Sequence, residues 1–390
     1  MITKKIIGKL HLWLGLTTGL VVFIISITGC LYAFQEEILD ATEGFRFSKI
    51  EDKLVLPPSV FVAKAHEVLP EAHLHAINYP VKGRSVEAIF YGFDPEHYFI
   101  VYHNPYTAEV LHVKDMEASF FHWVLDGHYY LWLPPKIGQP ITAYSTLIFL
   151  IMLISGIVLW WPKNKPAAKQ RFWFKWKSKT KWKRKNYDLH NIPGFYASWL
   201  LLVLAVTGIV FGIQWFREGY YGLLGGEKST IYSEPVSIIP VSKEWENRPA
   251  IDHIWSRVLS EERDAVSIEV HVPETDSSAL AVNTNAQEGK YWTTNYRYFD
   301  QYTLQELEVD HVYGKLADAT TADKLMRMNY DIHVGAIWGL PGKILAFLLS
   351  LTAASLPLTG FMIWWGRRKK QKRGESVSYK WKEQFVKQNV

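Results

Sequence analysis

Cysteine is nearly missing from this sequence. Among 390 residues there is one, Cys30, and it lies inside a long apolar run. A single cysteine excludes disulfides within the chain, iron–sulfur clusters and cysteine-rich zinc sites. The sequence also has no Gly-x-Gly-x-x-Gly fingerprint after a strand and no His-Glu-x-x-His motif. These absences argue against a built-in dinucleotide site and against a zinc-dependent hydrolase.

Acidic and basic residues are missing from the middle of four apolar stretches, at approximately 10–34, 142–161, 191–216 and 340–365. Each stretch is long enough to span a bilayer, which takes about 20 helical residues. The chain is also rich in the aromatic residues that favour membrane interfaces, with 17 Trp and 21 Tyr. The sequence therefore predicts four membrane-spanning helices. The first is interpreted as an uncleaved anchor, because its apolar run exceeds the core of a signal peptide.

The net charge of +5 is divided unevenly among the connecting segments. The 162–187 loop holds eleven Lys or Arg and no acid, and the tail after Trp365 is also basic. The long segments at about 36–140 and 217–331 carry more acids than bases. Because short basic loops stay on the cytoplasmic side, both termini and the basic loop are predicted inside and both long segments outside. The loop is interpreted as binding lipid headgroups rather than nucleic acid.

The motif His-x3-Gly lies at the start of the first and of the third apolar stretch, and in both copies a Thr-Gly pair follows at the same number of positions from the histidine. Its residues are His11, Gly15 and Thr28-Gly29 in the first copy and His190, Gly194 and Thr207-Gly208 in the second. The other two stretches end in a second pair of related segments, Ser155–Trp161 and Thr359–Trp365. The sequence is therefore interpreted as a tandem duplication, in which each half carries a histidine at a membrane helix end.

Each long outside segment has the pattern of a helix followed by strands. The first has a helical stretch at 57–69 and strand-like runs at 73–79, 84–91 and 98–103. The second has a helix near 250–260 and runs near 266–272, 278–285 and 291–299. The last run of each leads into a turn with the shared pattern Tyr-x3-Tyr-Thr-x3-Leu. Each half is therefore predicted to carry a small domain of one helix and an antiparallel sheet.

The duplicated histidines are candidate haem ligands, because two histidines on facing membrane helices are the usual way of holding b-type haem. His11 and His190 lie at the predicted inner ends of spans one and three, and imidazole is a common ligand of haem iron. The neighbouring Gly15 and Gly194 are interpreted as leaving room for a flat ring. No Cys-x-x-Cys-His motif exists, so such a haem has no thioether links. The alternative is that both histidines only anchor helix ends at the interface.

The arrangement of spans and outside segments resembles the PepSY-associated transmembrane family, whose members carry small PepSY domains between paired helices. The residues that carry the resemblance are the His-x3-Gly…Thr-Gly spans, the Asn104–Thr107 turn, Phe121–Leu125, Asp331–Gly335 and the two Gly-x3-Trp-Trp endings. Within that family the chain looks most like inner-membrane ferric-siderophore reductases, which are thought to hold two haems. The resemblance implies an inner-membrane protein with cytoplasmic termini, periplasmic PepSY domains and two haem b groups.

The resemblance also implies an outer pair of haem ligands. His333 lies in a segment that resembles the family's second-half signature, and its counterpart in the first half is either His122 or His128. His122 is favoured, because Phe-His-Trp-Val-Leu looks like the family's Leu-His-x-x-Leu element. His128 is then expected to contact the substrate or a haem propionate.

The surroundings of His128 contribute to that choice. It follows Asp126-Gly127, which is interpreted as a turn. Three aromatic residues beside it, Tyr129, Tyr130 and Trp132, are candidate substrate-side residues.

The predicted fold class is a membrane α-helical four-helix bundle with two extracytoplasmic α+β PepSY-like domains and an internal tandem duplication. The predicted boundaries are 1–35 for transmembrane helix 1, 36–140 for the first periplasmic PepSY-like domain, 141–162 for helix 2, 163–187 for the basic cytoplasmic loop, 188–217 for helix 3, 218–332 for the second periplasmic PepSY-like domain, 333–366 for helix 4 and 367–390 for the cytoplasmic tail.

The predicted function is that of a haem-dependent oxidoreductase, which reduces a ferric siderophore or another ferric chelate on the periplasmic side to release Fe(II). Since no nucleotide motif is present, the electron donor is expected to be a separate quinol or a cytoplasmic reductase. One alternative is a non-enzymatic regulator that binds peptidases through its PepSY domains. A transporter ranks third, because the spans have neither midplane breaks nor buried acids. The identity of the chelate, the donor and the oligomeric state are left open by the sequence.

Overall fold

The computed structural model of the chain describes residues 2–93, 96–162, 164–239 and 249–388. Parts of the predicted helix 1, both outside domains, the basic loop and the tail therefore lie outside the described residues. The helices are α1 (Ile2–Tyr32), α2 (Gln35–Thr42), α3 (Pro58–Val68), α4 (Phe120–Tyr130), α5 (Pro135–Trp160), α6 (Lys165–Arg171), α7 (Trp182–Gly212), α8 (Gln214–Leu223), α9 (Ala250–Glu261), α10 (Thr321–Val334) and α11 (Leu340–Gln388). The strands are β1 (Leu74–Tyr79), β2 (Val86–Phe93), β3 (Glu96–His103), β4 (Val110–Asp115), β5 (Ser267–His271), β6 (Leu280–Asn285), β7 (Asn295–Phe299) and β8 (Glu306–Leu307).

The chain folds as two compact units. The helical unit comprises 1–31, 126–213 and 345–390, and the sheet unit comprises 32–125 and 214–344. Helix α4 is divided between them, since Leu125 belongs to the sheet unit and Asp126 to the helical unit. The candidate histidines are therefore distributed over both units.

Four helices among the described residues are long and apolar enough to cross a membrane, namely Thr3–Tyr32, Pro135–Trp160, Trp182–Gly212 and Leu340–Arg368. They coincide with the four predicted stretches. Three of them begin earlier than predicted, because polar or aromatic residues beyond the apolar run continue the helix. In α5 the first helical residue is Pro135, and a proline is tolerated there because its missing N–H would have no partner in the first turn.

The core of the helical unit combines large and small apolar side chains from all four of these helices. They are Val22, Phe149, Leu153, Ala197, Leu201, Ala205, Leu349 and Ala353. Alanine lets helices approach closely, which favours dispersion contacts between helices that lipid cannot replace. Thr28 and Thr207, also buried here, donate to the carbonyls of Ile24 and Val203 at 2.8 and 3.0 Å. Their hydroxyls are thus satisfied within their own helices.

The strands of the sheet unit form one antiparallel sheet in the order β4-β3-β2-β1-β5-β6-β7-β8. The centre of the sheet is the pairing of β1 with β5, in which Ile77 lies opposite Val270 and Asn78 opposite Glu269. The two outside segments, predicted as separate small domains, therefore share a sheet. Pairing β1 with β5 leaves neither strand as an exposed edge, which accounts for the joining of the two sets.

One face of the sheet packs against α3 and α9. Phe61 of α3 and Ile254 and Val258 of α9 are fully buried against the apolar side chains of the inner strands. Ser59 of α3 also donates to Asp252 of α9, with Oγ and the carboxylate 2.6 Å apart. The predicted helices near 57–69 and 250–260 and the predicted strands are thereby confirmed to within a few residues.

The turns that follow β3 and β7 have the same geometry. The side-chain oxygen of Asn104 accepts the N–H groups of Tyr106 and Thr107 at 2.9 and 3.3 Å. Asp300 accepts those of Tyr302 and Thr303 at 2.9 and 2.8 Å. Each turn then places a residue in the left-handed region, Ala108 with φ 57° and Leu304 with φ 56°. The shared Tyr-x3-Tyr-Thr-x3-Leu pattern therefore corresponds to a shared structure.

Candidate functional site

His11 of α1 contacts the end of α5. Its Nδ1 lies 2.8 Å from the Ser155 hydroxyl, and the Met152 carbonyl one turn earlier is a second hydrogen-bonding group. The residue after Ser155 is Gly156, where a Cβ atom would lie 3.5 Å from Cε1 of His11. The imidazole of His11 is therefore hydrogen-bonded through Nδ1 to the Ser155 hydroxyl, and its Cε1 edge lies beside the backbone of Gly156, which has no side chain.

His190 of α7 has the same surroundings on α11. Its Nδ1 lies 3.0 Å from the Thr359 hydroxyl and 3.2 Å from the Leu356 carbonyl. A Cβ atom at Gly360 would lie 3.2 Å from Cε1 of His190. His190 is also close enough to His11 for the two rings to interact electrostatically. The structure thus gives the same kind of receptor to the two histidines that the repeat singled out.

His128 of α4 has this environment a third time, on α1. Its Nδ1 lies 2.8 Å from the Ile25 carbonyl and 3.2 Å from the Thr28 hydroxyl. A Cβ atom at Gly29 would lie 3.3 Å from its Cε1. We call each such receptor a Ser/Thr-Gly step, meaning Ser155-Gly156, Thr359-Gly360 or Thr28-Gly29, together with the carbonyl three residues before the hydroxyl.

The direction of the hydrogen bonds at these steps decides the histidine tautomer. A hydroxyl has one proton to donate. Ser155 donates it to the Met152 carbonyl at 3.0 Å, Thr359 to the Ser355 carbonyl at 2.8 Å and Thr28 to the Ile24 carbonyl at 2.8 Å. The oxygen of each hydroxyl therefore accepts from the histidine, so Nδ1 carries the ring proton and Nε2 the lone pair. A histidine that ligates a metal through Nε2 needs this tautomer.

Gly15 and Gly194 each face the flexible end of a side chain on another helix. A Cβ atom at Gly15 would come within 2.9 Å of Cε of Met152, and one at Gly194 within 3.1 Å of the Leu356 side chain. Glycine thus lets the helices approach closely at both positions. That the two glycines leave room for a flat ring stays a prediction.

The other two predicted ligands, His122 and His333, belong to the sheet unit. His122 lies in α4, on the helix that leads to the second span as expected, and its backbone N–H donates to Ser119 Oγ at 3.2 Å. His333 is the last residue but one of α10, which ends at Gly335 in the left-handed conformation with φ 80°. Both side chains are half-buried. Their pairing as haem ligands stays a prediction.

Sequence reasoning missed the receptors of the histidines, although a signal was present in the spacing. His128 precedes Ser155 by 27 positions and His333 precedes Thr359 by 26, whereas His122 precedes Ser155 by 33. The two Ser/Thr-Gly steps of spans two and four thus align His128 with His333. Comparison with the following span therefore favours His128, whereas the family element favours His122.

The prediction of a turn at Asp126-Gly127 is also wrong, because α4 continues through it to Tyr130. The helix ends instead at Leu131 and Trp132, whose φ angles of 56° and 57° are left-handed. Trp132 folds back over Gly127, where a Cβ atom would overlap its indole ring. This glycine is therefore required by the packing of Trp132 rather than by a turn.

The candidate substrate-side tyrosines lie next to His128. The rings of His128 and Tyr129 are 6.0 Å apart in an edge arrangement, and those of Tyr129 and Tyr130 are 5.8 Å apart. The Tyr129 carbonyl accepts the Thr142 hydroxyl of α5 at 2.7 Å. The end of α4 is thereby fixed against the start of α5, which holds His128 and its aromatic neighbours in place.

The sheet unit contains its own ionisable groups, and two of its partly buried carboxylates have partners within the unit. Burial raises the pKa of Glu87, although a hydrogen bond from Asn78 at 2.9 Å opposes the rise. Burial would also raise the pKa of Glu269, but its contact with His271 at 2.7 Å outweighs this and holds the pKa below its usual range. Within the described residues, no group of three or more His, Cys, Asp or Glu is placed to hold a metal ion.

The comparisons with known proteins agree with a membrane protein. The chain belongs to the family described as the PepSY-associated TM region, whose model matches residues 9–367. The match covers the four apolar helices and the intervening sheet unit. No curated protein was found to match the chain.

Proposed function

We propose that the chain is a membrane haem protein that carries electrons from the inner side of the membrane to a ferric chelate on the outer side. The supporting observation is one histidine environment that occurs three times. His11, His128 and His190 each direct Nδ1–H to a Ser/Thr-Gly step, which leaves Nε2 with its lone pair. Ionisable residues inside membrane bundles are functional by default, and a histidine fixed at Nδ1 is suited to ligating iron through Nε2.

His11 and His190 are the residues that would hold an inner haem b. They belong to different spans, and the electrostatic interaction between them is consistent with a shared site. A haem b held there would supply reversible one-electron transfer. The contribution of the two residues is to present fixed imidazoles from α1 and α7, while the surrounding spans exclude water.

His128 and His333 are the residues that would hold an outer haem b. The choice of His128 over His122 as the counterpart of His333 rests on the sequence, in which His128 precedes Ser155 by 27 positions and His333 precedes Thr359 by 26. The Nδ1 bond of His128 to Thr28 supports the same choice. His122 is the alternative that the experiment below decides. The neighbouring Tyr129, Tyr130 and Trp132 are proposed to contact the chelate.

We also infer a tandem duplication with two PepSY-like domains. In chain order, α3 with β1–β4 matches α9 with β5–β8, and each set follows one apolar helix and precedes another. The two sets also share a turn, in which the side chain of Asn104 or Asp300 accepts the backbone N–H of the residue two positions later. The duplication accounts for the recurrence of His11 and His190 at the start of the first and third spans and of Ser155-Gly156 and Thr359-Gly360 near the end of the second and fourth.

The proposed orientation in the inner membrane follows from the charges. The 162–187 loop, with eleven Lys or Arg and no acid, lies inside against anionic lipid, and the sheet unit lies in the periplasm. The donor is a quinol or a cytoplasmic reductase, since the sequence has no nucleotide fingerprint. Each electron converts one Fe(III) of a ferric siderophore or similar chelate to Fe(II), which hard oxygen ligands hold less tightly.

The test is an optical spectrum of the purified full-length protein in detergent, with haem quantified. We expect a low-spin spectrum with about two haems per chain, and reoxidation of the dithionite-reduced protein by a ferric hydroxamate under anaerobic conditions. His11→Ala and His190→Ala should each remove the same haem, and His128→Ala and His333→Ala the other. His253→Ala, in helix α9 of the sheet unit, is the matched control and should keep both.

Three results would contradict parts of this proposal separately. A purified wild-type protein without haem would overturn the function as a whole. If His122→Ala lost the outer haem and His128→Ala retained it, the outer ligand would be His122, as the family element suggested. If His190→Ala retained both haems, the assignment of His11 and His190 as the ligands of the inner haem would be wrong.

A further inference from the structure

We propose that the hydroxyls of Ser155, Thr359 and Thr28 are positioning residues, which hold the ligand histidines in one tautomer and tune the reduction potential of each haem. This inference rests on the proposed function and deepens it, because it concerns the groups behind the ligands. The observation that carries it is the repetition of one receptor on three different helices.

The receptor is more than a helix-bonded hydroxyl, because such hydroxyls are common in these spans. Thr352 of α11, for example, donates to the Leu348 carbonyl at 2.8 Å, as a serine or threonine in a membrane helix usually does. The three steps differ from it in that a histidine ring lies against the glycine that directly follows the hydroxyl. A Cβ atom would come within 3.2 Å of the ring at Gly360 and within 3.3 Å at Gly29, so at these two steps the glycine helps Nδ1 to reach the hydroxyl and the carbonyl one turn earlier.

The three histidines use the hydroxyl to different extents. Nδ1 lies 2.8 Å from the hydroxyl in His11, 3.0 Å in His190 and 3.2 Å in His128. In His128 the Ile25 carbonyl is the nearer acceptor, at 2.8 Å. Removing the hydroxyl should therefore have the largest effect at Ser155, a smaller one at Thr359 and the smallest at Thr28.

The expected effect follows from how a hydrogen bond alters imidazole. A bond from Nδ1–H to an acceptor increases the basicity of Nε2, so the ring becomes a stronger electron donor to iron. A stronger donor stabilises Fe(III) more than Fe(II), and the reduction potential falls. Loss of the hydroxyl should accordingly raise the potential of the haem that the histidine ligates. It should also weaken haem binding, by about 10- to 100-fold where the hydroxyl is the principal partner.

The experiment is a spectroscopic redox titration of the purified holoprotein with Ser155→Ala, Thr359→Val and Thr28→Val. Ser155→Ala and Thr359→Val should shift the midpoint potential of one haem upward, with the larger shift for Ser155→Ala. Thr28→Val should shift the other haem. Thr352→Val removes a hydroxyl of the same kind that contacts no candidate histidine among the described contacts, and it should leave both potentials unchanged.

Conservative exchanges separate tuning from simple misfolding. Ser155→Thr and Thr359→Ser keep the hydroxyl, and each makes one step resemble the other, so both should restore the wild-type potentials. If the hydroxyl-free variants keep two haems at unchanged potentials, the inference is wrong while the proposed function stands. If wild-type protein binds no haem, the proposed function itself has failed. A shift of both haems by Thr28→Val alone would contradict the assignment of steps to haems.

Discussion

At the scale of single residues, the glycines of the Ser/Thr-Gly steps differ in how closely a histidine ring lies against them. An alanine Cβ at Gly156 would meet His11 at 3.5 Å, an ordinary van der Waals contact, whereas one at Gly360 would meet His190 at 3.2 Å. The second distance is tighter than normal, so the ring must move by a few tenths of an ångström. Because Nδ1 of His190 is already 3.0 Å from Thr359, that movement lengthens or breaks its hydrogen bond.

Gly156→Ala and Gly360→Ala should therefore behave differently despite being the same change at equivalent positions. We expect Gly156→Ala to keep its haem, with a stability equal to the wild type or higher by up to about 1 kcal/mol from helix propensity. Gly360→Ala should perturb or lose the inner haem. Haem content and the low-spin absorption bands measure both. Equal behaviour of the two variants would show that the ring packing at these glycines does not matter.

The sequence predicted some of these residues better than others, for a physical reason. His11 and His190 were found because ionisable residues near the ends of apolar spans are rare and these two repeat. Their acceptors were missed, because a serine in one half and a threonine in the other look like ordinary helix-bonded hydroxyls. Which side chain meets which across two helices depends on helix packing, and no local pattern encodes it.

At the scale of elements, the two matching turns differ in one respect that matters for stability. Asp300 accepts a third N–H group, that of Ile238 at 2.7 Å, which its counterpart Asn104 does not accept among the described contacts. Burial alone would raise the pKa of Asp300. The N–H groups of Ile238, Thr303 and Tyr302 outweigh burial and hold the pKa below its ordinary value.

Asp300→Asn should consequently cost more than Asn104→Asp. An amide can offer its oxygen to the turn but would face Ile238 N–H with its own NH₂ group, at a cost of about 1–3 kcal/mol. The carboxylate's contribution is complete above the ordinary aspartate pKa and is lost as the pH falls through the lowered folded value. Hydrogen exchange of residues 300–305 at pH 7 should increase in Asp300→Asn. Unchanged exchange would show that the third bond is dispensable.

The connection from α4 to α5 is a second element whose geometry rests on one residue. A Cβ atom at Gly138 would overlap the backbone carbonyl of Tyr130, and backbone atoms cannot rotate aside. Gly138→Ala should therefore destabilise the helical unit by about 1–3 kcal/mol, as overpacking does. Gly8→Ala is the matched control, because its Cβ would lie 3.9 Å from the nearest atom, a Leu159 methyl. Thermal unfolding in detergent measures both, and an equal midpoint for the two variants would contradict the expected clash.

At the scale of the whole molecule, apolar runs and strand periodicity were enough to predict the four long helices and, in each outside segment, one helix followed by strands; α2, α8 and α10 were not predicted. The periodicities of 3.6 and 2 residues are local properties, so a sequence reveals them. The pairing of β1 with β5 was not predicted. It joins strands about 190 positions apart in the chain, and its register depends on a sheet face that no single segment displays.

The orientation of the chain in the membrane gives the last prediction. Cys30 is buried, so a protein with that single cysteine provides a low background for a charged, membrane-impermeant maleimide. Glu71→Cys and Ala286→Cys, on exposed positions of the sheet unit, should react in cells whose inner membrane is intact. Ser178→Cys, exposed in the basic loop, should react only after that membrane is permeabilised. The reverse pattern would invert the orientation derived from loop charge. Reaction of all three from the same side would contradict an arrangement in which the helices separate the loop from the sheet unit.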